Sequence, residues 1–86
     1  MDTYTSAIVI GLTTALAPDM PAPSVPVQMQ FVRAADLSAI CGPMKLGCAR
    51  LGPASCSVWI MSDILTPLQR IEVIRHELAH CAGWHH

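Results

Sequence analysis

Several features that would point to a partner or a chemistry are missing from this sequence. Charged residues are 13% of the chain and the formal net charge is -1, so no strong field of either sign surrounds it. The five cations, Arg33, Lys45, Arg50, Arg70 and Arg75, are scattered and form no basic patch. Nucleic-acid binding is therefore without support. No apolar run reaches the ~18 residues that cross a bilayer. There is no internal repeat and no glycine loop of the phosphate-binding kind. Cys41, Cys48, Cys56 and Cys81 lack the Cys-x-x-Cys spacing of a zinc ribbon. A Ser/His/Asp arrangement is also unavailable, because all four histidines fall within the last eleven residues.

Length sets a further bound. A single core supplies little stability below about 70–80 residues. Residues 1–24 look separate from the core, which leaves a folding unit of about 60 residues. A unit that small needs staples or a metal. The even cysteine count allows three disulfide pairings, and the sequence does not choose among them. Disulfides are expected if the protein is exported, and reduced core thiols if it is cytosolic.

The informative stretch is residues 76–86, His-Glu-Leu-Ala-His-Cys-Ala-Gly-Trp-His-His. It has the form H-E-x-x-H-x-x-G-x-x-H, with His76, Glu77, His80, Gly83 and His86 in the defined slots. Histidines at i and i+4 stand one above the other on a helix, with Cβ atoms about 5–6 Å apart. One cation can take a nitrogen from each at about 2.0–2.1 Å. Glu77 sits beside such a metal rather than on it, where a carboxylate can move a proton. Gly83, one turn on, can enter the left-handed conformation, end the helix and return His86 as third ligand. His85 is the alternative third ligand; His86 keeps the spacing. Cys81 points ~100° away from His80 around the helix and is not counted as a ligand.

This pattern resembles the zinc-binding signature of the metzincin metallopeptidases. It is also similar to small phage and bacterial proteins that end in an HExxHCxGW segment. The resemblance implies a Zn2+ cofactor on His76, His80 and His86, with Glu77 as general base and acid. It implies a hydrolase acting on a peptide or protein substrate. A non-catalytic, zinc-stabilised phage or accessory module is the alternative. Metzincins carry a methionine turn after the third histidine, whereas Met1, Met20, Met29, Met44 and Met61 all precede the motif. Either the helix and one strand complete the site, or the sequence is a truncated form.

The helix that carries the motif is well marked. Thr66, Pro67 and Gln69 occupy the N-cap, N1 and N3 positions of a capping box. No glycine or proline interrupts the chain from there to Ala82. At ~100° per residue, Leu68, Ile71, Ile74, Leu78 and Ala82 form one apolar stripe, expected to pack into the core. His76 and His80 fall roughly 140–180° from its centre, and Val73 shares their face as cleft wall. Trp84 is expected to close the helix end by a hydrophobic contact.

Upstream, residues 1–17 end in an apolar run with the length of a signal-peptide core and a small-x-small close, Ala15-Leu16-Ala17. The run lacks a preceding Lys or Arg, and Pro18 would follow the cut. Export, membrane contact through this segment, or an ordinary buried segment all remain open. Four prolines between 18 and 26 make an extended spacer. Residues 25–32 alternate, with Val25, Val27, Met29 and Phe31 opposite Gln28 and Gln30, the period of a half-buried strand. Residues 34–41 form two turns of helix, and residues 45–55 read mostly as loop. Residues 57–61 are a second strand, apolar on both faces. By the resemblance, this strand is the candidate cleft edge that pairs with substrate. Asp63 is a turn residue. The expected whole is a monomeric α+β domain over residues 25–86: a minimal zincin-like unit with a small sheet packed on one long C-terminal active-site helix. Residues 1–24 are its apolar N-terminal segment and proline-rich linker.

Overall fold

The computed structural model describes residues 20–86. The leader reading of residues 1–17 lies outside them. The elements, in order, are β1 (Val27–Val32), α1 (Ala34–Cys41), β2 (Gly47–Leu51), β3 (Cys56–Met61) and α2 (Pro67–Cys81). They make the small α+β domain expected, a mixed three-stranded sheet with two helices. Among the described residues no helix is long and apolar enough to cross a membrane.

The sheet order is β1-β3-β2, with β3 parallel to β1 and antiparallel to β2. β3 is the central strand, and Cys56, Val58 and Ile60 are fully buried. Its apolarity on both faces thus reflects coverage. This corrects the expectation that residues 57–61 form a cleft edge: both edges of β3 are already paired, and no substrate can add to it. Among the described residues, the free edge near the helix belongs to β2, a strand within the stretch expected to be loop. Its glycine and small residues are packing features rather than breaks. Gly47 and Ala49 stand opposite Ile60 and Val58 on the face that α2 covers.

The other face of the sheet is tied by polar and covalent contacts. Trp59 Nε1 donates to Gln30 Oε1 at 3.1 Å, and the Arg50 guanidinium lies 5.1 Å over the Trp59 ring. Arg50 also donates to the Ile40 carbonyl, and Cys48 is bonded to Cys41 at the end of α1. The start of α1 is fixed from a distance: Asp63 Oδ1 accepts from Ala34 N at 2.7 Å. Asp63 is therefore a helix cap as well as a turn residue.

α2 begins as its sequence requires. Thr66 Oγ1 accepts from Gln69 N, and Gln69 Oε1 accepts from Thr66 N. The face it buries differs from expectation. Val73, Glu77 and Cys81, spaced by four, are buried against the sheet, while Leu68 and Ile71 are 69% and 61% exposed. The cause is room. The helix approaches β2 at Gly47, where a Cβ would lie 3.0 Å from Val73 Cγ1. Val73 and Glu77 fill that gap, and the bulkier Leu68 and Ile71 turn outward. Cys56 and Cys81, with Cα atoms 5.7 Å apart, then bond the end of α2 to the start of β3.

The turn into α2 is strained. Leu65 N donates to Asp63 O at 2.7 Å, closing a three-residue turn around Ile64, which has φ 71° and is 80% exposed. A β-branched residue in this region is costly, and asparagine tolerates it better. Ile64→Asn should therefore raise stability by about 1 kcal/mol. Thermal denaturation checks this; the melting temperature should rise by about 4–8 °C.

Candidate metal centre

Three imidazoles meet at the end of α2. His76 and His80 come from successive turns of the helix, and His86 returns from beyond it. The Nε2 atoms of His76 and His86 are 2.9 Å apart, and each lies 3.1 Å from Nε2 of His80. His85 is exposed and does not join this cluster. Cys81, bonded to Cys56, is outside it too.

The return is made by a Schellman turn. Gly83 N donates to His80 O and Trp84 N to Ala79 O, both at 3.0 Å. Gly83 has φ 103°, a conformation closed to other residues at reasonable cost. The glycine of the motif thus does what its position implied.

Trp84 does more than close the helix. Its ring stacks on His80 at 4.9 Å and 22°, and meets His76 and His86 edge-on at 5.2 and 5.1 Å. Its carbonyl lies 2.7 Å from His80 Nδ1. A carbonyl only accepts, so Nδ1 carries the proton and Nε2 turns a lone pair to the cluster. His76 Nδ1 is buried and unpaired among the described residues, so that ring is held by packing. The sequence signal for Trp84 was its place between Gly83 and the third histidine, within reach of all three rings.

The arrangement suits a cation. A ring nitrogen offers one N–H or one lone pair in its plane, so three of them cannot satisfy one another around a triangle. One ion facing three lone pairs can. Nitrogen pairs on a tetrahedral centre with 2.0–2.1 Å bonds are about 3.3 Å apart, close to the separations here. His76 and His80 are also pushed towards the neutral form, the one that binds metal. Burial and the neighbouring His80 and His86 push His76 down to about 4. Burial lowers His80 as well, with the Trp84 carbonyl opposing.

Glu77 lies on the helix side that faces the sheet, 7% exposed. Burial pushes its carboxyl up to about 7, against the pull of Lys45. The residue is seated by Gly47, where a Cβ would lie 3.4 Å from Glu77 Cγ and 2.8 Å from the Trp59 carbonyl. Nothing in the local motif pointed to Gly47.

Comparison with protein-family models, curated proteins and solved structures gives no match to this chain. The spacing and the cluster nonetheless have the form of a metzincin-type HExxH…H motif. Three clustered imidazole donors in this motif support a metal-dependent catalytic site, consistent with peptide-bond hydrolysis.

Two substitutions probe the surroundings of the cluster. Trp84→Ala removes the ring wall but leaves the backbone carbonyl, and metal affinity should fall about 10-fold or more. Competition with a chromophoric chelator measures this. Gly47→Ala forces α2 away from β2, at a cost of about 1–3 kcal/mol. Thermal denaturation should show the loss as a melting temperature lower by about 4–8 °C per kcal/mol; an unchanged melting temperature would mean that the helix is not held at Gly47.

Proposed function

We propose that this chain is a zinc-dependent metallopeptidase in which His76, His80 and His86 hold the metal and Glu77 moves the protons. The observation that carries the reading is the meeting of three imidazole Nε2 atoms within 3.1 Å of one another, with the buried Glu77 next in sequence to one of them. An all-nitrogen set with an open side suits zinc among the divalent ions. When bound, zinc polarises the scissile carbonyl and eases deprotonation of water.

The protein's own part falls to a few groups. Glu77 accepts the proton of the attacking water and delivers it to the leaving amine. A carboxyl raised towards neutrality by burial is suited to both tasks, and a nearby dication favours its ionised form. His80 keeps its metal-facing lone pair through the Trp84 carbonyl.

The edge of β2, unpaired among the described residues, suits an extended substrate. Leu46 O and Gly52 N are bonded towards the β3 side, to Met61 N and Ser55 O. By the antiparallel alternation, Gly47, Ala49 and Leu51 turn their backbone groups outward. Peptides dock on such edges by strand addition. A purely structural metal has no use for Glu77, whose burial penalises its charge.

Elemental analysis of the untagged protein is the direct test, alongside a peptide-library digest. We expect one zinc per chain, lost in His80→Ala and retained in Glu77→Gln. Cleavage by Glu77→Gln should fall by about 10²–10⁴-fold. Undiminished cleavage in that variant would sink the enzymatic reading, and a folded wild type without zinc would sink the metal site.

A further inference from the structure

The outer side of α2 carries an apolar face that the core engages only at its Ile74 margin. Leu68 and Ile71 are largely exposed, and Ile74 and Leu78 continue them at helical spacing. Residues 20–23 run beside this face. Between them lies a groove of about 450 Å³, lined by Met20, Pro23, Ile71, Ile74, Arg75 and Leu78 among others. Contiguous apolar surface of this kind marks a contact site.

We propose that the occupant is this chain's own apolar run, residues 7–17. Three observations favour it. The first is connection: only Pro18 and Asp19 separate the run from Met20, which already lines the groove. A tether that short gives an effective concentration in the mM range, well above what a second copy or a foreign peptide ordinarily reaches. The second is composition: no charged residue occurs between Asp2 and Asp19, so the run enters without desolvating a charge. The third is length. Leu68 to Leu78 covers about 15 Å of helix, and eleven residues reach that distance in any conformation from helix to strand.

The run then supports α2 from behind, on the side away from the histidines, and belongs to the folded domain rather than to a leader alone. This inference does not rest on the catalytic reading. The test is a photocross-link in the full chain. Ile71→benzoylphenylalanine, irradiated and digested, should join position 71 to the peptide containing residues 7–17, at monomer mass. Ile10→Asp should abolish that product while far-UV circular dichroism is unchanged. A product at twice the monomer mass would place a second copy in the groove and overturn the proposal. So would a purified chain that lacks residues 1–17, or no cross-link to the run from either position 71 or position 68. Leu68→benzoylphenylalanine is the second probe if the first variant does not fold.

Discussion

Helix α2 lies where it does because Gly47 has no side chain. Any Cβ there would meet the Trp59 carbonyl, Val73 and Glu77 at once. With the space open, Val73, Glu77 and Cys81 settle on the sheet, and the rotation of the helix follows. His76 and His80 are then presented at the margin of the domain, where His86 can reach them. The same contact buries Glu77, which gives its carboxyl an environment unlike that of a surface glutamate.

Two covalent ties hold this packing in a domain with a small core. Cys41–Cys48 closes a short loop and Cys56–Cys81 a longer one. By the loop-entropy argument they contribute about 2–3 and 3–4 kcal/mol. The second has local value too. Cys81 directly follows His80, so bonding it to the buried start of β3 fixes the last turn of α2. A frayed helix end would scatter the histidine cluster, and this one is capped, stacked and cross-linked.

Much of this was legible in the sequence, and the reasons are particular. The capping box at Thr66 and the Gly83 turn are local signals, and both form as read. The alternation of residues 25–32 marked β1 because Val27 and Met29 are half-buried between exposed glutamines, although Phe31 on their side is exposed. The motif named its own three histidines, and the cluster assembles from them. What escaped depends on distant packing. β2 looked like loop, since glycine and alanine carry no strand signal until a helix is laid on them. The stripe of Leu68, Ile71, Ile74, Leu78 and Ala82 promised a core-facing side, but only Ile74 of its large residues packs on the core, and Leu68 and Ile71 are exposed. The central place of β3 could not be seen either, because apolarity on both faces does not tell a covered strand from one that lines a cleft. The pairing of the four cysteines follows only from the three-dimensional arrangement.

The three cluster nitrogens all come from eleven consecutive residues, while the setting of Glu77 is built by Gly47, some thirty positions upstream. On the proposed reading, affinity and reactivity therefore have different contact orders. The first is local, and the helix with its terminal turn carries it. The second is global, and exists only while the sheet is in register beneath the helix. Partial unfolding that separates α2 from β2 leaves a peptide still able to gather its histidines, but one whose glutamate has returned to water and become ordinary.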